Sequence, residues 1–446
     1  MRWTRAPFGR DARRAPARPP GRVNFPSTAL AATPKAPAVH APPAPSSRQP
    51  KLGEILLLGS LTAFGAVTID LYLPTLPAIA RDYGTSAAAV QLTLSTFFVG
   101  MALGQLFFGP LSDRIGRRPT VLIGCAVYVV ASLACALAPS IEALVAGRFF
   151  QALGCCAGMV TCRAIVRDRY DHRDSARIFS LLMLVLAVAP LLAPTVGGWI
   201  AAVAGWHAVF VVFIGIGLAV AVAVGWRLQE SRSPQTAAAA RGQNVLAAYA
   251  HLLRQRRLIG YLLVGAANGA TLFSYIAASP DLVVNVWGFS EGQFGLVFAV
   301  IAVGVVGSSQ INRALLRRHS PDAILIWATP GAALAGLALA ASAYADAPLA
   351  VILPVLFVTL SSNGLIAANA SAGALNVDPL RAGAISGLMG GVNFGVGALA
   401  SAVGAALHDG TARPLAVNVA VALLVAAAAY HLLARPRETQ PTTAAG

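Results

Sequence analysis

Charged residues are scarce in this sequence. Asp, Glu, Lys and Arg together make up 11% of the 446 residues, whereas hydrophobic residues make up 57%. Soluble domains carry about 25% charged residues. The composition therefore excludes a soluble domain of this size and indicates that most of the chain lies in a membrane.

Motifs for catalysis, nucleotide hydrolysis and metal binding are also missing. The sequence has no H-E-x-x-H, which argues against a zinc protease, and no G-x-x-x-x-G-K-[ST] loop, which argues against ATP-driven transport. The five cysteines form no C-x-x-C pair, and small apolar packing residues are the favoured interpretation. Vicinal Cys155 and Cys156 remain a weak alternative for a soft metal. We predict no enzyme, cofactor or metal; an intramembrane enzyme or a sensor is the disfavoured alternative.

Apolar stretches of about 20 residues, enough for a helix to cross a bilayer, recur along the chain. They are continuous rather than alternating, which favours helices over a barrel. The predicted fold is thus all-α and integral to the membrane, with twelve transmembrane helices in two pseudo-symmetric bundles of six. The stretches are 53–74, 90–110, 120–138, 142–162, 177–202, 206–226, 258–279, 292–312, 322–343, 348–369, 382–404 and 413–434.

The net charge of +16 is distributed unevenly. With this segmentation, 30 of the 33 Lys and Arg residues fall in alternate loops and the two termini, on one side of the membrane. Arg81 and Arg413 lie on the other side, and Arg148 lies within a helix. This alternation follows the positive-inside rule and predicts that both termini are cytoplasmic. It also argues against a nucleic-acid partner, which a net positive charge alone would suggest.

Polar segments divide the chain into predicted domains. Residues 1–50 are rich in Pro, Ala and Arg, which predicts a disordered basic tail, or else an artefact of the assigned start. A polar stretch at 228–257 predicts a cytoplasmic linker between the bundles 51–227 and 258–434. Residues 435–446 complete the chain as a second cytoplasmic tail.

A twelve-residue segment from Gly109 to Thr120 combines three arginines with one aspartate between two apolar stretches, which predicts a short cytoplasmic loop between the second and third helices. We expect Gly109 and Gly116 to allow close approach and positive φ. We expect Asp113 to contact an arginine or a helix N-terminus in one state of the protein and to release it in another. The alternative is a simple topology signal. The predicted gating residues are Gly109, Asp113, Arg114, Gly116, Arg117 and Arg118.

Two charged residues are predicted at membrane depth. Asp70 lies near the end of the first stretch, and burial favours the neutral form of such a carboxyl group, so it can gain and release a proton. Arg148, in the fourth stretch, is expected at a similar depth, where pairing with Asp70 is open. The alternatives are a helix-end acid already in water and an arginine that reaches the headgroups.

The remaining candidates are helix-breaking and polar residues within the stretches. Pro190, Pro194, Gly197 and Gly198 predict a kink in the fifth helix, either a hinge or a static bend. Some polar and aromatic residues are expected to line a central cavity. These are Tyr72, Gln91, Ser95, Gln151, Asn268, Phe273, Tyr275, Asn363, Asn369 and Asn393.

Taken together, these segments resemble the Bcr/CflA group of drug/proton antiporters in the major facilitator superfamily. The resemblance spans about 53–434 and rests on six segments. They are Ile69–Leu73 with its following prolines, Gln91–Thr96, Gly104–Asp113, Arg148–Leu153, Ala189–Trp199 and Ser361–Asn363. It implies a monomeric inner-membrane exporter that exchanges protons for small organic compounds by alternating access, with Asp70 and Arg148 in the coupling roles.

Two positions depart from the pattern of related antiporters. Ala193 stands where many antiporters carry Gly, and Thr62 stands where some multidrug exporters carry a second acid. One evident proton carrier remains, which leaves the stoichiometry open. An exporter of a metabolite, such as a sugar or an amino-acid derivative, is the alternative function on the same scaffold.

Overall fold

A computed structural model describes residues 52–435 with the exception of residue 243, and every regular element in this part is helical. The predicted tails, 1–50 and nearly all of 435–446, lie outside the described residues. The α-helices are α1 (Leu52–Asp70), α2 (Leu76–Asp82), α3 (Ala87–Ile115), α4 (Arg117–Ala136), α5 (Ile141–Arg169), α6 (His172–Ala204), α7 (Trp206–Arg227), α8 (Pro234–Gly242), α9 (Val245–Leu252), α10 (Arg256–Asp281), α11 (Glu291–Leu315), α12 (Pro321–Tyr344), α13 (Leu349–Ser361), α14 (Asn363–Val377), α15 (Ala382–Ala406) and α16 (Arg413–Ala429).

Eleven helical segments of the described residues are long and apolar enough to cross a membrane. In this set α1 continues into α2, and α13 and α14 form one span. The predicted stretch 177–202 falls within α6, which is a single helix of 33 residues and contains the apolar segment Leu192–Ala204. The membrane-embedded, all-helical prediction is therefore confirmed, with eleven such spans among the described residues; the full count of twelve stays a prediction.

Serine and aspartate side chains define where several helices begin. Ser86, Ser140, Ser290 and Ser320 each accept a hydrogen bond from the backbone N–H three residues further on, and Asp171 does the same for α6. Such side chains satisfy backbone donors that have no partner within the first turn of a helix. These polar caps mark the points at which the chain turns between apolar stretches.

Long helices pack side by side along the molecule. In the first half α3 packs against α5, α5 against α4, and α4 against α7, while in the second half α10 packs against α14, α15 and α16. The main contacts between the halves are those of α3 with α15 and of α6 with α11, and α10 also contacts α2 and α3. In the α3–α15 pair, the hydroxyl groups of Ser95 and Ser401 lie 2.9 Å apart. A Cβ atom added to Gly391 would lie 2.9 Å from the Leu106 side chain, so the glycine permits close packing there.

The polar stretch 228–257 contains two short helices. α8 packs against α3, and α9 packs against α15. The linker segment therefore lies against the same helix pair that joins the two halves. The end of the molecule that carries this segment and the α3–α4 junction at Gly116 is called the basic end below.

Candidate functional site

The segment from Gly109 to Arg118 is almost entirely helical, contrary to the predicted loop. α3 continues through Pro110 to Ile115, and α4 begins at Arg117, so the turn consists of Gly116 alone. Gly116 has φ of +113°, which favours glycine, whereas Gly109 lies inside α3 without positive φ. The predicted positive φ is thus found at one glycine and not at the other, because hydrogen bonding extends α3 beyond its apolar stretch.

Arg117 is the central charged residue of this junction. Its guanidinium group pairs with Asp113 one turn earlier and donates through Nε to Asp168 of α5 at 2.8 Å. Its Nη1 also donates to the Ser112 hydroxyl at 2.7 Å. Only 4% of the Arg117 side chain is exposed. A buried arginine needs such compensation, so these contacts connect α3, α4 and α5 at the basic end.

Glu230, in the segment after α7, closes the junction from the opposite side. Its carboxylate accepts backbone N–H groups of Arg117 and Arg118 at 2.9 and 3.2 Å, which caps α4, and those of Ser231 and Arg232 at 3.0 and 2.9 Å. Although partial burial acts in the opposite direction, these backbone donors lower the pKa of the Glu230 carboxyl below its usual range. Arg118 donates to the Gly225 carbonyl at 2.7 Å, which ties α4 to α7 as well.

Asp70 is the last residue of α1 and only 4% exposed. Among the described residues, no hydrogen bond or ion pair reaches its carboxyl group. Burying an unpartnered carboxylate anion carries a large free-energy cost, whereas burying the neutral carboxyl group costs much less. The protonated form is therefore favoured while Asp70 is buried. The structure thus places Asp70 where its charge state depends on hydration of its surroundings.

Arg148 of α5 is fully buried and makes no ion pair with Asp70. Its guanidinium carbon lies 4.1 Å from the centre of the Tyr72 ring and 4.3 Å from that of Phe97. Nη1 donates to Gln151, whereas Nε and Nη2 have no hydrogen-bond partner in the described structure. Cation–π contacts therefore provide much of the compensation for this buried cation. Tyr72, two residues after Asp70, connects the two charged positions.

Two of the four predicted α6 residues, Gly197 and Gly198, lie against the segment that follows Asp70. α6 remains one helix through Pro190 and Pro194. A Cβ atom added to Gly197 would collide with the backbone carbonyl of Leu71, and one added to Gly198 would lie 3.5 Å from Pro74. Glycine is required at position 197 because the two backbones approach so closely.

Two cavities open at the ends of the molecule. The larger, of about 500 Å³, lies at the basic end between α3, α5, α15 and the linker helices, and Gln105 of α3 contributes to its wall. The smaller, of about 390 Å³, lies at the opposite end near Arg81 and Asp281. Of the ten predicted cavity residues, Gln91 lines this smaller cavity.

The other predicted cavity residues occupy different places. Ser95 bridges to α15, and Gln151 donates to Ser132 at 2.8 Å within the first half. Asn369 donates to Asn312 at 2.7 Å, and Asn363 to the Asn268 carbonyl at 3.3 Å. The side-chain amide of Asn268 and the Tyr275 hydroxyl are buried without partners in the described structure, and Asn393 lies against Gly269.

Phenylalanines from three helices meet between the halves of the molecule. Phe98 of α3 lies 4.7 Å from Phe273 of α10, measured between ring centres, and Phe273 lies 5.2 Å from Phe394 of α15. Phe98 and Phe394 are 6.4 Å apart. We call these three residues the aromatic cluster. Phe273, which belongs to the second half, thus contacts the first half of the molecule, as expected of a residue at a cavity between the halves.

Several residues at these sites are absent from the sequence-based candidates, among them Asp168, Glu230, Phe97, Phe98 and Phe394. Glu230 is the only acid in an otherwise basic linker, a signal that marks it in the sequence. Asp168 and Phe98 carry no comparable signal, since each gains its role from contacts with distant parts of the chain.

Comparisons with known proteins agree with this architecture. The sequence matches the family model of the Major Facilitator Superfamily over residues 56–402. It is 31% identical to a bicyclomycin resistance protein homologue of Haemophilus influenzae, over 85% of this chain and 95% of that protein. It is 30% identical to the multidrug resistance protein MdtL of Klebsiella pneumoniae, over 84% and 93% of the two chains.

Among solved structures, the fold is similar to that of a D-xylose–proton symporter. The TM-score is 0.66 at 15% identity, and the match covers 86% of this chain and 97% of the symporter. At this identity the similarity concerns the fold. The match to the family model and to the two resistance proteins establishes that the chain belongs to the Major Facilitator Superfamily and, within it, to the Bcr/CflA group.

Proposed function

We propose that this protein is a proton-driven exporter of drugs or small toxic organic compounds across the bacterial inner membrane. The names of its relatives, a bicyclomycin resistance homologue and a multidrug resistance protein, support the substrate class. The observation that carries the coupling proposal is Asp70, a carboxyl group buried among helices without a partner in the described structure. The proposal places the basic end and both termini in the cytoplasm and treats the protein as a monomer.

Asp70 is the proposed proton carrier. When water reaches the carboxyl group from the outside, it binds a proton and becomes neutral, which permits burial. When the cavity opens to the cytoplasm, hydration favours the anion and the proton leaves. Arg148 acts through Tyr72: a movement of the Tyr72 ring changes both the cation–π contact with Arg148 and the backbone position next to Asp70. The charge of Asp70 is thereby coupled to the packing of α1 on α5.

The α3–α4 junction is the proposed cytoplasmic gate. Arg117 and its partners Asp113 and Asp168 connect helices of the first half, and Glu230 connects them to the segment that leads into the linker. In alternating access, the first half (α1–α7) and the second half (α10–α16) rock against each other about the α3–α15 and α6–α11 contacts. We propose that the contact between Gly197 and Leu71, where the two backbones approach closely, is part of the hinge for this movement.

The substrate path is proposed to run past the aromatic cluster, and polar residues near it contribute hydrogen bonds. Asn268, Tyr275 and Asn393 suit this role because the first two hold buried polar groups without partners in the described structure and Asn393 faces α10 at Gly269. Apolar walls with a few polar groups accept many compounds of similar size. Such a path suits drugs better than one defined metabolite.

The test is drug efflux from inverted or reconstituted vesicles with an imposed pH gradient. We expect Asp70→Asn to abolish efflux that depends on the gradient, because an amide cannot bind and release the proton. Asp409→Asn, which removes an acid from the exposed loop between α15 and α16, is the matched control and should retain efflux. Gradient-driven efflux at the normal rate by Asp70→Asn would remove Asp70 from the mechanism.

Substrate class is tested in a strain that lacks its own pumps. Expression should raise resistance to bicyclomycin- or chloramphenicol-like compounds and lower the amount of drug that accumulates in the cells. A protonophore should abolish the difference in accumulation between expressing and control cells. Export of sugars or amino-acid derivatives without any effect on drugs would favour a metabolite exporter on the same scaffold.

A further inference from the structure

The cavity at the basic end is large enough to hold a small organic molecule. Its volume of about 500 Å³ lies within the range of about 300–1,000 Å³ that is usual for ligand sites. Gly109 of α3, Ala164 of α5 and Gly387 of α15 contribute small residues to its wall. Tyr249 of α9 covers it, with its hydroxyl 3.4 Å from the Leu106 carbonyl.

The charges that line this cavity do not balance. Arg117 is paired with both Asp113 and Asp168, and Arg381 is paired with Asp378 at 2.7 Å, so these two arginines add no excess positive charge to the cavity. The lining also contains Arg114, Arg163 and Arg167. No carboxylate of the described residues lies within ion-pair distance of these three arginines, and they leave an excess of positive charge in the cavity.

The wall also contains polar groups that are poorly satisfied within the protein. The Gln105 side chain is 2% exposed, and its Nε2 has no hydrogen-bond acceptor among the described residues. Nη1 of Arg163 reaches the Ser386 hydroxyl at 3.5 Å, the outer limit of a hydrogen bond. Buried donors normally have partners, so an unpaired amide beside arginines that lack a carboxylate partner indicates that an acceptor from outside the protein completes this site.

We propose that this cavity binds the anionic group of a small organic compound that arrives from the cytoplasm, and that such anions are a substrate class of the exporter. The second part rests on the proposed function. Guanidinium groups bind carboxylate and sulfonate oxygens through charge-assisted hydrogen bonds, and the Gln105 amide supplies a further donor. The cationic wall concentrates such compounds at the cytoplasmic entrance of the path.

The site is tested by direct binding to the full-length protein in nanodiscs of phosphatidylcholine, without a pH gradient. The probes are 4-nitrobenzoate and 4-nitrobenzamide, which share a ring and nearly the same size but differ in charge. We expect the benzoate to bind about tenfold more tightly than the amide, since hydrogen bonds to charged groups add about 1.5 kcal/mol or more. Increasing ionic strength should reduce that preference.

Variants assign the preference to the cavity. The double variant Arg163→Gln and Arg167→Gln should bind both probes equally, whereas Arg317→Gln with Arg318→Gln removes the same charge from the exposed end of α11 and should behave as wild type. Melting temperatures verify folding. If the first double variant does not fold, Arg167→Gln alone serves, because no hydrogen bond to the Arg167 side chain is present in the described structure.

Two results would overturn the proposal. One is equal affinity of the wild-type protein for the two probes, or a benzoate preference that survives in the cavity variant. The other is loss of benzoate binding when phosphatidylglycerol is added to the nanodisc, which would assign the arginines to a lipid headgroup. Because binding is measured without a gradient, failure here leaves the Asp70 experiment unaffected, and failure of gradient-driven efflux leaves the binding result standing.

Discussion

Replacing Glu230 by Gln tests whether the capped junction closes the cytoplasmic end. The wild-type carboxylate accepts four backbone N–H groups, two of them from the first turn of α4. Gln keeps one acceptor oxygen but loses the charge and the second acceptor. We therefore expect the N-terminus of α4 to separate more often from the segment after α7, while the rest of the helix remains folded.

The size of the effect follows from the number and exposure of these bonds. Loss of a capping side chain typically costs about 0.5–2 kcal/mol, and a hydrogen bond to a charged group is worth about 1.5–3 kcal/mol. Glu230 is exposed, so water replaces part of what is lost. We expect about 1–2 kcal/mol, which corresponds to an increase of about 5- to 30-fold in the open fraction of the junction.

Hydrogen exchange of the backbone N–H groups of Arg117 and Arg118 measures this opening directly. These groups should exchange about 5- to 30-fold faster in Glu230→Gln than in wild type. The control is Glu142→Gln, which removes the same charge from the first turn of α5 and should leave exchange at the α3–α4 junction unchanged. Equal exchange in wild type and Glu230→Gln would refute the capping argument.

The lowered pKa of Glu230 adds a prediction about pH. A carboxyl group whose pKa is lower in the folded state contributes stability that is complete above its unfolded value of about 4.3 and is lost as the pH falls through the folded value. After correction for intrinsic exchange, protection of the junction in wild type should thus be constant between pH 7 and pH 5. A steady loss of protection over that range would contradict the assignment.

Two further predictions concern helix contacts. Gly197→Ala should lower the free energy of unfolding by about 1–3 kcal/mol, because its Cβ atom would lie 2.8 Å from the Leu71 carbonyl carbon. Gly215→Ala is the control: no atom lies within 4 Å of the added Cβ, so the melting temperature should stay unchanged or rise. For the Ser95–Ser401 hydrogen bond, a double-mutant cycle with alanine should give a coupling energy of about 1 kcal/mol in denaturing-detergent unfolding, and a coupling near zero would show that the α3–α15 contact does not depend on it.

The helices themselves could be predicted because lipid leaves the backbone no hydrogen-bond partners outside the helix. Apolar composition therefore locates the membrane-crossing helices, as it does for α7 and α16, and does not locate the short helices α8 and α9 of the linker. It does not locate the ends, since a helix continues beyond its apolar part wherever its own hydrogen bonds persist. For this reason α3 reaches Ile115, and the expected loop reduces to Gly116. The break at Ser362 between α13 and α14 likewise lies inside one continuous apolar stretch.

The sequence predicts which charged residues belong to the candidate site, but it does not predict which residues they contact. A charged residue inside an apolar stretch is visible in the sequence, so Asp70 and Arg148 stand out. Their surroundings depend on rings and backbone from other helices: Arg148 meets Tyr72 and Phe97, not Asp70. Glu230 contacts a helix that begins more than a hundred residues earlier in the chain, and the local sequence pattern does not predict such a long-range contact.

The aromatic cluster has a consequence for leakage. Three rings from both halves meet with no polar atom of their own, so a chain of water molecules cannot pass between them without separating the rings, and hydronium cannot follow. On the proposed substrate path, a compound large enough to push Phe98 away from Phe273 would open that route only while it fills the gap itself. The exported molecule would thus block the gap that it opens, so that protons do not leak through the protein and the membrane potential is maintained.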